Sequence, residues 1–286
     1  TPIGNLADIT LRSLYLLGLA DTIACEDTRH TGQLLHAYGL HKPLMALHEH
    51  NELETAHSVI AKLRAGERVA YVSDAGTPAV SDPGSRLVAA VAAAGLRIVP
   101  LPGASSVTAA LSVAGCIAAD TSRGSQVAGF VFSGFLPTKG QERAAALKQL
   151  ASEPKAVVIL EAPHRIDVLF KDLSALGARQ VTVGRELTKQ FESIATMAAS
   201  ELPAWLAAKA DNARGEFTLV IHPQAILDMA SSSAADAAIT TTATALLTRL
   251  LQELPLKTAV QIAIDVSGLP KNALYEQALG IKNSGE

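Results

Sequence analysis

The chain has 286 residues, 49% of them hydrophobic, enough for about two domains with sizeable cores. Lys and Arg total 24 against 27 Asp and Glu, a net charge of −3, which argues against a broad basic surface for naked duplex nucleic acid. No run of about 18 apolar residues speaks for a membrane span, and two cysteines, Cys25 and Cys116, make neither a disulfide framework nor a cysteine-based zinc site, as suits a reducing cytoplasm.

The chain opens on the loop-like Thr1-Pro-Ile-Gly4 and runs into a helix over Ile9–Leu17. Short apolar runs at Asp21–Cys25, Pro43–Leu47, Arg68–Val72 and Leu96–Pro100 read as strands. Between them the helical period predicts Gly32–Ala37, Leu53–Ala65, Ser85–Ala94 and Ala104–Ala114, with Gly18, Gly39, Gly66 and Gly95 as left-handed C-caps. Strands alternating with helices predict an α/β fold with a mostly parallel sheet covered on both faces.

Gly115–Gly129 lacks periodicity and reads as a linker between residues 1–114 and a second α/β domain over 129–223. There the pattern predicts strands Phe130–Ser133, Ala156–Glu161, Gln180–Val183, Ser193–Met197 and Glu216–Ile221, and helices Gln141–Ala151, Arg165–Leu176 and Ala199–Ala210, with some antiparallel pairing. Residues 224–244, rich in Ala, Ser and Thr, read as a tether. In 245–286, Leu256–Val266, a turn at Ser267–Pro270 and Lys271–Leu279 read either as a helix-turn-helix or as a plain helical cap.

Ligands of α/β proteins gather at the carboxyl ends of strands. The longest loop there is Val72-Ser-Asp-Ala-Gly-Thr-Pro-Ala-Val-Ser-Asp-Pro-Gly84. Gly76 lets a ligand approach the backbone, Pro78 and Pro83 fix the path, and Asp74 and Asp82 offer acceptors, although turn chemistry alone also explains these residue types. Asp8, or Asn5, can cap the first helix. Cys25-Glu-Asp-Thr-Arg-His30 follows a strand with two carboxylates and a guanidinium, as a site or as a surface charge cluster. Leu101-Pro-Gly-Ala-Ser-Ser106 opens a helix, where free N–H groups and hydroxyls favour an anion or carbonyl. Gly134–Lys139, Glu161–Arg165 and Gly184–Glu192 each carry a cation after a strand, a basic rim suited to a phosphate-bearing substrate. His48-Glu-His50 has no third ligand at metal spacing, so no metal site is expected.

Taken in order, Pro2–Thr10, Glu26–Arg29, His48–Glu52, Ser73–Pro78, Ser81–Gly84, Gly134–Pro137, His164-Arg165, Arg185–Lys189, Leu254–Lys257 and Lys271–Tyr275 resemble the tetrapyrrole-methylase-like class of S-adenosylmethionine enzymes, in its ribosomal-RNA-methylating branch. The resemblance implies two α/β domains with the cofactor in the cleft between them, and a small helical C-terminal region. It implies a homodimer that 2′-O-methylates a cytidine of 16S rRNA near the decoding centre, while the modest acidity of the chain favours the assembled or nearly assembled 30S subunit as the substrate. S-adenosylmethionine is expected at Ser73, Asp74, Ala75, Gly76, Thr77 and Pro78, at Pro102, Gly103, Ser105 and Ser106, and at Phe135 and Leu136, with Gly4 and Asp8 closing the methionine end. The resemblance also implies a strand before Thr1, and Ala118–Gln126 departs from it as an insertion.

Methyl transfer to a ribose hydroxyl needs alignment and a general base. Candidates for the base are Glu26, Asp27, His48 and Glu186. Arg29 and Lys189 are assigned to acidifying the hydroxyl or holding phosphate, and Arg165, Arg185 and Lys271 to RNA. A structural salt bridge is the rival role for each cation. The competing functions are a tetrapyrrole methyltransferase and a non-catalytic ribosome-assembly factor.

Overall fold

The structure, a computed structural model, describes residues 1–48, 51–116, 129–223, 243–267 and 271–283. Most of the expected linker, the insertion, most of the tether, His50 of the His48–His50 pair and the Gly268–Pro270 part of the tail turn lie outside these residues. Residues 1–118 and 126–223 form one compact unit, and the C-terminal helices belong to a second.

The first half runs α1 (Leu11–Leu19), β1 (Thr22–Cys25), α2 (Thr28–Ala37), β2 (Leu44–Ala46), α3 (Glu52–Arg64), β3 (Val69–Val72), α4 (Ser85–Ala93) and α5 (Ser106–Ala114). Its sheet is parallel throughout, in the order β2-β1-β3. Strand alternation sends Ile23 and Cys25 into one apolar cluster with Leu17 and Leu35, and Ala24 into another with Val59, Leu87 and Val91. Both faces are therefore covered, as the pattern predicts.

Three local expectations change. α2 begins at Thr28 rather than Gly32, because the Asp27 carboxylate accepts from the N–H groups of Arg29 (2.7 Å) and His30 (3.4 Å) and starts the helix a turn earlier. Gly18 is inside α1, not its cap, whereas Gly39, Gly66 and Gly95 have positive φ as expected. Leu96–Pro100 forms no ladder: Ile98 and Val99 are exposed, and no described strand pairs with the segment. Apolar content predicts a strand there, but a ladder also requires a partner edge.

The second half contains β4 (Phe130–Phe135), α6 (Gly140–Ser152), β5 (Ala156–Glu161), α7 (Ile166–Leu173), β6 (Gln180–Arg185), β7 (Ser193–Ala198), α8 (Leu202–Ala207) and β8 (Phe217–Ile221). The sheet order is β4-β5-β8-β6-β7, with only the β4–β5 pair parallel. Val157, Ile159, Val183 and Leu219 point to the cluster under α7 and α8, and Val158 and Val220 to the opposite face.

That opposite face is covered by α5, through Val107, Ala110 and Ala114. The helix read from sequence as the end of the first domain thus completes the core of the second sheet. Its small residues permit close approach to the strands, and Thr182 donates to the Ala114 carbonyl at 3.4 Å. This shared helix is one physical reason why the two halves make one compact unit.

In the second unit, 243–251 (α9), Leu256–Ser267 (α10) and Lys271–Asn283 (α11) are helical and share a core of Leu247, Ala259, Val260, Ala263, Leu274 and Ala278.

Candidate active site

Parallel pairing of Cys25 with Val72 makes the loops after β1 and β3 leave the sheet side by side. The Asp27 N–H donates to Asp74 Oδ1 at 3.1 Å, joining them. The loop after β3 is held from within. Ser73 is buried and its hydroxyl donates to the Ala75 carbonyl at 3.2 Å, while Thr1 Oγ1 donates to the Ser73 carbonyl at 3.0 Å. Thr77 Oγ1 donates to the Ala104 carbonyl at 3.2 Å, tying this loop to the start of α5. Gly76 has φ +79°, a backbone conformation that strains any L side chain, and a Cβ there would meet Ile3 and the Ala104 carbonyl at ordinary contact distance.

The far end of the loop is fixed by a residue to which the sequence reading gave no role. Buried Glu52, the first residue of α3, accepts through Oε1 from the N–H groups of Gly84 (3.0 Å), Arg86 (2.8 Å) and Leu87 (3.1 Å). It places a carboxylate on the positive end of α4, replacing the cap that Gly84 lacks. Among the described non-glycine residues, Ala79, Glu186 and Thr188 alone have positive φ, and all three lie in the loops after β3 and β6.

A cleft of about 380 Å³ opens between these loops and the strand ends of the second sheet. Of the expected cofactor residues, Ala75, Gly76, Thr77, Ser105, Ser106 and Phe135 line it. Ser105 stands at the N-cap position of α5 yet makes no capping bond. The remainder do not line it. Ser73 and Asp74 shape the loop from inside, Leu136 is buried in the core below, and Asp8, Pro102 and Gly103 are exposed. Pro78 is half-buried outside the lining. Gly4 lies on the aliphatic stem of Lys189, where any Cβ would collide.

The wall also contains Asp82, Phe132, Leu160, Ala162, Leu187 and Thr218, which the cofactor expectation omitted. Leu160 and Thr218 are a cross-strand pair, so register alone puts them on one face. Sequence could not supply that register.

The candidate bases differ in environment. Asp27 is committed: Arg29 binds its carboxylate at 2.8 Å, and that hydrogen bond holds Asp27 far below the usual carboxylate range. Glu26 is partly buried with Asp74 and Asp82 as neighbours, and burial followed by their charges raises it. Glu186 is held by Lys189 at 2.9 Å and by the Glu216 N–H at 2.9 Å; against its burial, these bonds keep it low. Lys189 is spanned between Glu186 and Glu216, which keep it raised in spite of burial. His48 is exposed just past β2.

Two expected RNA-binding cations turn inward. Arg165 binds Glu161 at 3.0 Å and the Leu136 carbonyl at 2.5 Å. Arg185 is buried and donates to the carbonyls of Phe191 (3.0 Å) and Arg214 (3.3 Å). Both guanidinium groups cross-link loops instead of presenting charge to a polyanion. The side chain of Lys271 lies outside the described residues. No group of three or more metal-ligating residues converges among those described.

Residues 1–203 match the family model of the tetrapyrrole (corrin/porphyrin) methylases, and the chain belongs to that family. Residues 237–282 match the RsmI C-terminal HTH domain. In fold it is similar to the cobalt precorrin-4 methyltransferase, with TM-score 0.56 and 17% identity over 77% of this chain and 91% of that one. It is also similar to the uroporphyrin-III-C-methyltransferase of Thermus thermophilus, with TM-score 0.51 and 20% identity over 77% and 90%. Within the family the sequence goes with a narrower set. It is 43% identical to the ribosomal RNA small subunit methyltransferase I of Escherichia coli O157:H7 over 98% of this chain and 92% of that protein. With that of Vibrio cholerae serotype O1 it shares 42% over 100% and 94%. The chain therefore belongs to the ribosomal RNA small subunit methyltransferase I family.

Proposed function

We propose that this protein transfers a methyl group from S-adenosylmethionine to the ribose 2′-hydroxyl of a cytidine in 16S rRNA near the decoding centre, acting as a homodimer in the cytoplasm on the 30S subunit. The observation that carries the reading is the cleft itself, built by the loop after β3, the start of α5 and the strand ends of the second sheet. Its size suits a nucleoside-sized ligand. Phe132, Phe135 and Leu160 offer apolar surface, Ser105, Ser106 and Thr77 offer hydroxyls, and Gly76 allows backbone approach. The residues present fit that cofactor, which supplies the electrophilic methyl group when bound.

What remains for the protein is alignment and proton removal. Glu26 is our choice of base: it has no ion-pair partner among the described residues, unlike Asp27 and Glu186, and its raised pKa moves it toward the acidity a base needs near neutral pH. Glu26 lies outside the cleft lining, directly after β1, and from that rim its carboxylate would take the hydroxyl proton as the ribose oxygen bonds the methyl carbon and the carbon–sulfur bond breaks. Lys189, fixed between two carboxylates, would hold the loop after β6 against Gly4 rather than act on substrate.

The test is a radiolabelled-methyl assay on 30S subunits from cells lacking the enzyme, followed by mapping of the modified nucleotide. Label in a cytidine ribose of 16S rRNA is expected. Label only in a tetrapyrrole would give the rival methyltransferase function, and no label with intact RNA binding the assembly-factor one.

A further inference from the structure

The charges of the cleft wall are unequal in a way that bears on turnover. Its titratable lining consists of Asp82, Glu161 and Glu216, with no Lys, Arg or His among the described lining residues. Two of these acids are compensated: Glu161 by Arg165 at 3.0 Å and Glu216 by Lys189 at 3.0 Å. Asp82 has no ion-pair partner among the described residues; its neutral partner is the Ser73 hydroxyl. Its charged neighbours, Asp74 and Glu26, are acids as well, and neither is ion-paired among the described residues. Glu26 directly follows β1, Asp74 lies two residues past β3 and Asp82 lies further along the same loop; of the three, Asp82 alone lines the cleft.

A half-buried carboxylate facing other carboxylates is costly unless a cation joins it. On the cofactor reading above, the cation brought to this wall is the cofactor's own. We infer that Asp82 reads the positive charge at the sulfur of the cofactor, so that the cleft retains the sulfonium form and releases the thioether product. The inference rests on the cofactor reading above.

In methyl transfer the carbon–sulfur bond breaks as the carbon–oxygen bond forms, the hydroxyl proton passes to the base, and sulfur keeps the electron pair and becomes neutral. The methionine ammonium and carboxylate, the ribose and the adenine are the same before and after. Attraction to Asp82 is therefore the interaction that turnover itself removes. It favours cofactor over product without any movement of the protein.

Titration calorimetry of the full-length protein with S-adenosylmethionine and, separately, S-adenosylhomocysteine tests this. Wild type is expected to prefer the sulfonium. Asp82→Asn should weaken S-adenosylmethionine about tenfold or more and leave S-adenosylhomocysteine within about twofold, since a charge contact is worth upwards of about 1 kcal/mol even in bulk water. Asp82→Glu should keep most of the preference. Equal weakening of both ligands by Asp82→Asn would overturn the inference, since Asp82 would then be touching a group the two share. So would a variant that binds both as wild type does. A wild-type protein that binds neither ligand would instead overturn the cofactor reading, and this inference with it.

Discussion

Glu26, Asp27 and Asp82 are all acids in strand-end loops, and only their surroundings separate them. Asp27 caps α2 and binds Arg29, Glu26 has acidic neighbours, and Asp82 faces the cleft. If Glu26 is the base, Glu26→Gln lowers kcat about 10²-fold or more while calorimetric cofactor affinity is kept. The rate of wild type then falls with decreasing pH through a pKa above the ordinary carboxylate value, and the variant loses that limb. Asp82 yields a second prediction, in stability. Burial, with the charge of Asp74, raises its folded pKa above the unfolded one. Stability linked to its proton is fully present below the unfolded pKa and lost as pH rises through the raised folded value. Asp82→Asn should therefore raise Tm at pH 7, and the gain should vanish toward pH 4. A Tm gain independent of pH would contradict that account.

At the scale of elements, the loop after β3 depends on a residue from a different helix. Glu52 supplies the N-terminal cap of α4 and thereby fixes Gly84, where the loop ends. Glu52→Ala leaves three N–H groups without this acceptor and should cost about 2–3 kcal/mol in urea unfolding, with weaker cofactor binding as the loop loosens. The sequence displayed Glu52 only as part of an acidic, His-rich motif; that it caps a helix 32 residues away follows from how α3 and α4 pack. Helices and strands with strong periodicity were legible within a residue or two, as Ala156–Glu161 and Ser85–Ala93 illustrate. Leu96–Pro100 was not, because strand formation needs a partner edge as well as propensity.

Across the whole molecule, residues 237–282 match the RsmI C-terminal HTH domain and α9, α10 and α11 have a core of their own, so an RNA-binding role for the tail can be tested by itself. Removing residues 237–286 should leave cofactor affinity unchanged and weaken binding to 30S subunits, with a shallower dependence of affinity on salt. An unchanged salt slope would return RNA contact to the first unit. There Arg29, whose side chain is 87% exposed, is an exposed cation near the strand-end loops, while Arg165 and Arg185 are used internally.

The sequence by itself determined the alternation of strands and helices, the glycines at left-handed positions and the ordered loop motifs that carry the family. These are local properties, set by backbone sterics and by the period of burial within one segment. Only the tertiary structure decided that α5 completes the second sheet, that Arg165 and Arg185 point inward, that Glu52 caps α4, and that Asp82 lines the cleft without an ion-pair partner among the described residues. Each of these depends on which distant side chain or backbone group lies within reach, and strand register and helix packing set that distance.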